Sequence, residues 1–241
     1  MKIVSPYRHI VPYKRHHIEL PAGWWLEALR MLRWSGLQRT QANTYVITDL
    51  ETELPFKYVR RYDTQESHLM LWIIEVSLMY LESSDFDQDT VLISPDSLVR
   101  KDINWFDGTF DIAVTSRPLK EKYQHHPLMN GLQWWPLASK DKLIELYREA
   151  LHIARGLSEG EKRWGGDTTP FLRLLGPITP GLHDRNGLRV KVFSFPALVE
   201  ITPLVMRKLL EGKRPDADVA VADFKYRSKA NMKDYFVRTF G

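Results

Sequence analysis

DTVLISPDSLV, residues 89–99, is an apolar run that ends in an acidic turn. The four residues Thr90 to Ile93 are β-branched or apolar, which is typical of a strand buried on both faces of a parallel sheet. The turn that follows contains Ser94 and Asp96. Because ligands of open α/β sheets collect at the carboxyl ends of the strands, this turn is a candidate binding site.

Elements of both kinds flank this run. Strands are predicted at 1–6, 44–48, 56–59, 110–115, 132–137 and 188–195. Helices are predicted, from apolar residues three or four positions apart, at 24–34, 67–81, 140–157 and 168–175. Gly36 is expected to end the first helix, and Thr202 and Pro203 to begin a last one that stops before Gly212. The order predicts a three-layer α/β/α domain with a mostly parallel, mixed central sheet.

Composition excludes several classes of site. The 241 residues are 44% hydrophobic and include no cysteine, so disulfides, thiolate metal sites and cysteine nucleophiles are ruled out. No apolar stretch reaches the ~18 residues of a membrane span, and the N-terminus lacks a signal-peptide core. We therefore expect a soluble cytoplasmic protein, or one in the host cytoplasm if its source is viral.

The net charge of +4 is unevenly distributed. Residues 1–40 carry seven Lys/Arg and two Glu, and residues 225–241 carry five Lys/Arg and one Asp, so the middle of the chain is acidic. Basic ends favour a polyanionic ligand. In an extended segment, Lys225, Arg227 and Lys229 would share one face, where three cations can hold a diphosphate.

Three further stretches add polar groups with chemical potential. MNG occupies residues 129–131, and WGGD, residues 164–167, ends in a carboxylate. Asp223 heads the cationic segment. With Asp96 it would supply the oxygen ligands that Mg²⁺ and Mn²⁺ prefer.

The order of these stretches resembles the GT-A glycosyltransferases, enzymes that take a sugar from a nucleotide-sugar. In that superfamily a strand ends in a metal-binding Asp-x-Asp, a small-residue turn and a Gly-Asp segment follow, and a C-terminal His-x-Lys-Gly-like element grips the diphosphate. The resemblance covers the chain from about Met1 to its C-terminus. Ser94 stands at the first acidic position, Asp223 at the His position and Tyr226 at that of the small residue.

The resemblance implies a role for each candidate. The turn after the first strand would face the nucleoside of the donor: Ser5, Pro6, Tyr7 and Arg8. Asp96 and Asp223 would hold Mn²⁺ or Mg²⁺, weakened by the neutral Ser94, so that metal independence stays open. The donor sugar and its diphosphate would contact Ser94, Asn130, Gly131, Lys225, Arg227 and Lys229.

The resemblance also assigns the reaction. Asp167 would contact hydroxyls of the donor sugar or act as a general base towards the acceptor. Residues 1–115 would form the nucleotide-binding half of a single domain, and residues 116–241 the acceptor half with the diphosphate-binding segment. The expected activity is transfer from a nucleotide-diphosphate sugar, with a UDP-sugar favoured, to a hydroxyl acceptor. A hydroxylated base in DNA is among the possible acceptors.

Each assignment has a structural alternative. Residues 94–97 are also an ordinary turn sequence, and Asp167 or either threonine after it is also a helix N-cap before Pro170. The cationic end is also a solvated tail. A sugar-nucleotide-forming nucleotidyltransferase has a similar sheet, although residues 4–16 lack the glycines of its usual loop. An inactive nucleotide-sugar-binding protein is compatible with Ser94 and Tyr226.

Overall fold

The computed structural model describes residues 1–9, 20, 23–117, 127–176, 179–194, 198–201, 205, 207–208, 211, 213, 219–224 and 226–240. The strands in these residues are β1 (Lys2–Pro6), β2 (Thr44–Asp49), β3 (Val59–Tyr62), β4 (Thr90–Ile93), β5 (Ser97–Val99), β6 (Ile112–Ser116), β7 (Leu128–Trp135), β8 (Gly181–Arg185), β9 (Leu188–Phe193), β10 (Leu198–Ile201) and β11 (Val221–Phe224). The α-helices are α1 (Trp24–Thr40), α2 (Leu69–Glu82), α3 (Lys140–Arg155), α4 (Glu159–Gly165), α5 (Thr169–Leu175) and α6 (Met232–Phe240). Single 3₁₀ segments cover Leu137–Ser139 and Tyr226–Asn231.

The central sheet has the strand order β3-β2-β1-β4-β7-β6-β9-β8. Neighbours from β3 to β4 are parallel, and so are β6 and β9. β7 lies antiparallel between β4 and β6, and β8 is antiparallel to β9 at the sheet edge. Because β7 is antiparallel to both of its neighbours, β6 and β9 point the same way as β1 to β4. The predicted mostly parallel, mixed sheet is confirmed.

A second sheet has three strands, and it brings the C-terminal part of the chain next to the end of β4. Its order is β10-β11-β5, with β11 parallel to β10 and antiparallel to β5. Only residues 94–96 separate β4 from β5. The antiparallel pair therefore places Val221–Phe224 next to the acidic turn after β4.

Helices cover both faces of the central sheet. On one face, a core formed with α2, α3 and α5 includes the buried aromatic residues Trp72, Tyr80, Trp135, Tyr147 and Phe171. On the other face, α1 packs against β5 and α6. The layers are thus α/β/α, as the strand and helix order predicts. A search of the described helices finds none with the length and apolar character that a bilayer-spanning segment needs.

Gly36 lies inside α1 and does not end it, so the first predicted boundary is wrong. A Cβ at this position would lie 2.9 Å from Ile3 Cδ1 and 3.0 Å from Thr44 Oγ1. The glycine therefore lets the helix approach the ends of β1 and β2 closely. The αL residue Gln41 follows the helix instead, and its backbone N–H bonds to Leu37 O.

Other predicted boundaries move by a few residues. The strand predicted at 132–137 is β7 at Leu128–Trp135, and the one predicted at 56–59 is β3 at Val59–Tyr62. Both shifts follow from pairing with neighbouring strands, which local periodicity does not report. The helix start predicted at Thr202 and Pro203 lies outside the described residues.

A buried carboxylate ties the sheet to its helices at the amino ends of the parallel strands. Asp111, just before β6, accepts hydrogen bonds from Arg189, Lys142 Nζ at 2.9 Å and Ser139 Oγ at 2.9 Å. Burial acts to raise the pKa of Asp111, but the hydrogen bonds from Arg189, Lys142 and Ser139 outweigh it and hold the pKa well below its usual range. This cluster lies at the opposite edge of the sheet from the residues described next.

Candidate functional site at the carboxyl edge of the sheet

The described site residues lie at the end of the central sheet where its parallel strands terminate, called here the carboxyl edge. The strand order reverses between β1 and β4, which is where open α/β sheets form a crevice for ligands. The carboxyl ends of β1, β2 and β4 point to this edge, and the antiparallel β7 begins there. The edge therefore brings together segments from both halves of the chain.

A bulge in β7 shapes the first part of the site. The partner of Val114 is Gln133 but that of Thr115 is Met129, so residues 130–132 are extra on the β7 side. Bulges of this kind redirect side chains and are frequent beside active sites. This bulge contains Asn130 and Gly131, and their contact with a donor sugar stays a prediction.

Gly131 lies directly against the acidic turn. Its carbonyl accepts a 2.8 Å hydrogen bond from the backbone N–H of Ser94. A Cβ on Gly131 would come within 2.5 Å of Ser94 Oγ, so a side chain there would displace the hydroxyl. The Ser94 hydroxyl therefore occupies the space that a side chain at position 131 would need.

The two predicted metal-ligand positions lie on adjacent chain segments. Asp223 of β11 pairs with Ser97 of β5, and its Oδ1 accepts a 3.3 Å hydrogen bond from Ser97 Oγ. The backbone N–H of Phe224 donates to Asp96 O at 2.9 Å. Asp96 and Asp223 are both buried, with 6% and 2% exposure.

Lys229 brings a cation to this pair of segments. Its Nζ lies 2.6 Å from Asp96 Oδ2. The ammonium also lies over the Trp25 ring at 4.4 Å, and the Lys229 carbonyl accepts a 3.1 Å hydrogen bond from Trp24 Nε1. An ion pair on a largely buried carboxylate has little water to screen it, so this contact is a strong one. Lys229 is therefore held at the edge of the sheet by its side chain and its main chain.

The extended geometry predicted for the cationic segment is wrong for its described part. Tyr226–Asn231 is a 3₁₀ turn, in which residues two apart do not share a face. The alternation of Lys225, Arg227 and Lys229 along the sequence therefore does not place them on one face of this turn. Lys225 lies outside the described residues, and so does the side chain of Arg227.

Asp167 lies in the turn between α4 and α5 at the same edge. The Asn130 side-chain amide donates to Asp167 O at 2.7 Å, and Thr168 Oγ1 lies 3.3 Å from Asp167 Oδ1. Thr168 occupies the N-cap position of α5, and its side chain makes no capping hydrogen bond. Gly166 has a packing role, since a Cβ there would lie 2.6 Å from Lys162 O.

The residues at the end of β1 are mostly enclosed. Ser5, Pro6 and Tyr7 are buried, and Tyr7 packs against α1 and β2. Arg8 is half-buried, donates to Glu66 O at 2.9 Å and lies 5.2 Å from the Trp72 ring. Arg8 thus holds the loop before α2, and contact of these four residues with a nucleoside stays a prediction.

Sequence reasoning did not single out Gln133 or the partners of Lys229. Gln133 is fully buried in β7, and its side chain bonds to Asn130. A glutamine between apolar strand residues was the available signal, since buried amides need polar partners. Trp25 offered only helical spacing, which is equally typical of a core residue.

A divalent cation at this edge would have to share Asp96 with Lys229. Among the described residues, no three His, Asp or Glu side chains come together in a way that could hold a metal ion. Ser94 contributes a neutral oxygen, and Lys229 occupies one oxygen of Asp96. Metal binding by Asp96 and Asp223 stays a prediction.

Comparison with known proteins supports the fold assignment. No protein-family model matches the sequence, and no curated protein sequence matches it. Among solved structures, the chain is similar to a glycosyltransferase involved in the glycosylation of the major capsid of PBCV-1, with 12% identity, a TM-score of 0.59 and 98% of each chain covered. It is also similar to the galactosyltransferase LgtC, solved with donor and acceptor sugar analogues, with 12% identity, a TM-score of 0.60, and 99% of this chain and 95% of LgtC covered. The chain has the GT-A glycosyltransferase fold over nearly its whole length.

Proposed function

We propose that the chain is a glycosyltransferase that moves a sugar from a nucleotide-diphosphate sugar, with a UDP-sugar favoured, to a hydroxyl acceptor. The fold supports this reaction class. The observation that carries the proposal is the Lys229–Asp96 pair, because it places a fixed cation where the C-terminal segment meets the end of β4. In the proposed reaction the diphosphate leaving group lies beside this cation, which stabilises its negative charge.

The chemistry needs charge stabilisation at one end of the donor and proton removal at the other. The bond between the anomeric carbon and the diphosphate oxygen breaks, and its electron pair stays on the diphosphate. The acceptor oxygen bonds to the anomeric carbon and loses its proton. Preorganised cations stabilise the first change, and a carboxylate can accept the proton in the second. We assign these tasks to Lys229 and to Asp167.

Lys229 and the expected metal would act at the same place, on the diphosphate of the donor. The resemblance implies Mn²⁺ or Mg²⁺ on Asp96 and Asp223, and the first of these carboxylates is also the partner of a lysine. Lys229 already sits 2.6 Å from Asp96, and an ammonium forms charge-assisted hydrogen bonds with phosphate oxygens. We propose that the Lys229 ammonium, which has three N–H donors, donates to the diphosphate while it stays beside Asp96, and that a divalent cation is not essential.

For the acceptor we favour a saccharide hydroxyl. The neighbour LgtC was solved with an acceptor sugar analogue, which is the basis for this choice. A protein hydroxyl and a hydroxylated DNA base are the other outcomes of an acceptor screen. The basic chain ends permit DNA, but no described contact at the site favours it.

Calorimetric titration with UDP and a panel of UDP-sugars, in EDTA and then in Mn²⁺, tests the proposal, together with release of UDP from each sugar nucleotide. Binding accompanied by sugar release or transfer is the expected result. Binding without release for every acceptor would instead indicate an inactive binding protein. Formation of a sugar nucleotide from a nucleoside triphosphate and a sugar phosphate would indicate a nucleotidyltransferase. Absence of all binding would overturn the proposal.

A further inference from the structure

A series of hydrogen bonds, buried at its inner end, connects the core to the candidate catalytic turn. Gln133 Oε1 accepts hydrogen bonds from Tyr147 OH at 2.8 Å and from Trp135 Nε1 at 2.9 Å. Gln133 Nε2 donates to Asn130 Oδ1, and Asn130 Nδ2 donates to Asp167 O at 2.7 Å. The chain thus runs from α3 through β7 to the turn between α4 and α5.

The direction of this chain is set at its buried end. The Trp135 indole N–H can only donate, so the oxygen of the Gln133 amide must face it. Burial raises the pKa of Tyr147 well above its usual value, so its hydroxyl keeps its proton and remains a donor. The Gln133 amide nitrogen is therefore turned towards Asn130.

The same orientation passes to the next amide. Asn130 Oδ1 accepts a hydrogen bond from Gln133 Nε2, which leaves Asn130 Nδ2 to face the Asp167 carbonyl. If the Asn130 amide were flipped, its oxygen would face the Asp167 carbonyl oxygen and its nitrogen would face the Gln133 side-chain nitrogen. Neither pair could form a hydrogen bond. The donors on Trp135 and Tyr147 thus fix the Gln133 amide, which fixes the Asn130 amide against the main chain of Asp167.

Packing supports the chain along its length. Gln133 and Tyr147 are almost completely buried. The Tyr147 ring also makes edge contacts with Trp135 at 5.3 Å and with Phe171 of α5 at 4.9 Å. A fully satisfied buried polar network rigidifies the groups that it joins. The turn that carries Asp167 is therefore attached to the core at two places.

We infer that Gln133 is a positioning residue, which holds Asn130 and the Asp167 turn at the carboxyl edge of the sheet without touching substrate. The catalytic part of this inference rests on the proposed function, because it needs Asp167 to face the reacting sugar. The positioning of Asn130 and the Asp167 turn by Gln133 does not depend on the proposed function. A small displacement of a reacting group lowers the rate strongly while leaving distant binding contacts in place.

The test uses Gln133→Met, which keeps the approximate shape and removes both hydrogen-bonding ends. We expect deuterium uptake by the main chain of residues 165–169 to rise. We also expect kcat for UDP-sugar hydrolysis to fall roughly 10- to 100-fold, with KM and UDP affinity little changed. Tyr147→Phe removes one donor and should act in the same direction with a smaller amplitude.

Tyr80→Phe is the matched control, since it removes another buried hydroxyl contact, to Thr90 Oγ1 at 3.2 Å, near the amino end of β4. It should affect melting temperature without changing local uptake or the ratio of kcat to KM. Should Gln133→Met not fold, Tyr147→Phe decides alone. Wild-type uptake at residues 165–169 in the folded variants would overturn the inference. If the wild-type protein neither hydrolyses a UDP-sugar nor transfers its sugar, the proposed function fails, whereas the uptake measurement still decides the positioning role.

Discussion

Lys229 Nζ lies 2.6 Å from Asp96 Oδ2 and joins the C-terminal 3₁₀ turn to the turn after β4. The exposed fractions of the two side chains are 21% and 8%, so the carboxylate is enclosed while the ammonium retains a path to the surface. Because an ammonium has three N–H donors, Lys229 can keep its contact with Asp96 and also donate to an anionic ligand. This relationship leads to the first prediction.

Lys229→Met should weaken binding of UDP about tenfold or more in EDTA, because a charge-assisted hydrogen bond contributes ~1.5–3 kcal/mol. Methionine retains an apolar stem beside Trp25. Lys233→Met, which removes an exposed cation from α6, is the matched control and should bind normally. Calorimetry measures both. Equal affinity of the Lys229 variant and the wild type would contradict the assignment.

Asp167→Asn should fold with a melting temperature close to that of the wild type, since asparagine keeps the shape of the side chain and one oxygen acceptor. If the carboxylate accepts a proton from the acceptor, transfer should fall about 10²–10⁴-fold. Melting temperature and turnover are measured on the same preparation. Unchanged turnover with a lower melting temperature would show that the carboxylate is structural.

Gly131→Ala should displace the Ser94 hydroxyl, because the new Cβ would lie 2.5 Å from Ser94 Oγ. Forcing a side chain away from its preferred rotamer costs about 1 kcal/mol. The double variant Gly131→Ala/Ser94→Ala removes the hydroxyl and should regain most of the lost stability. Urea unfolding of the two single variants and the double variant measures the coupling. Additive losses would mean that the two residues do not interact.

Gly36→Ala should destabilise the protein although it replaces glycine inside a helix. Alanine normally stabilises a helix interior by about 1 kcal/mol relative to glycine. At this position its Cβ would lie 2.9 Å from Ile3 Cδ1, so α1 would have to move off the sheet. Gly160→Ala in α4 is the control, because a Cβ there meets no atom within 4 Å. Urea unfolding should show opposite signs for the two variants.

Asp111→Asn should lower stability by about 2 kcal/mol at neutral pH, since it removes the charge that three donors share. The pKa of Asp111 is depressed in the folded state, so its contribution is complete above the unfolded value of about 3.9 and is lost as the pH falls through the folded value. The difference between wild type and variant should therefore shrink below about pH 4. A difference independent of pH would contradict this account.

Much of the fold could be predicted because its signals are local. The apolar run at 90–93, the periodic helices and the β-branched strands each report their own burial, and the structure contains those that lie within the described residues. Boundaries were less accurate where a neighbour decides them, as at Gly36, where the sheet surface lets α1 continue. The short β5 and the paired β10 and β11 gave no clear local signal, because their hydrogen-bonding partners lie far away in the sequence.

The sequence by itself determined the α/β/α order, the acidic turn at the end of β4 and the cationic character of the C-terminal segment. Only the tertiary structure decided that Lys229 reaches Asp96, that Asp223 pairs with Ser97, and that Gln133 orients Asn130. The physical reason is that residue type and spacing report the burial of each segment, whereas contacts between distant segments depend on strand order, register and the bulge in β7. Those features arise only when the whole sheet assembles.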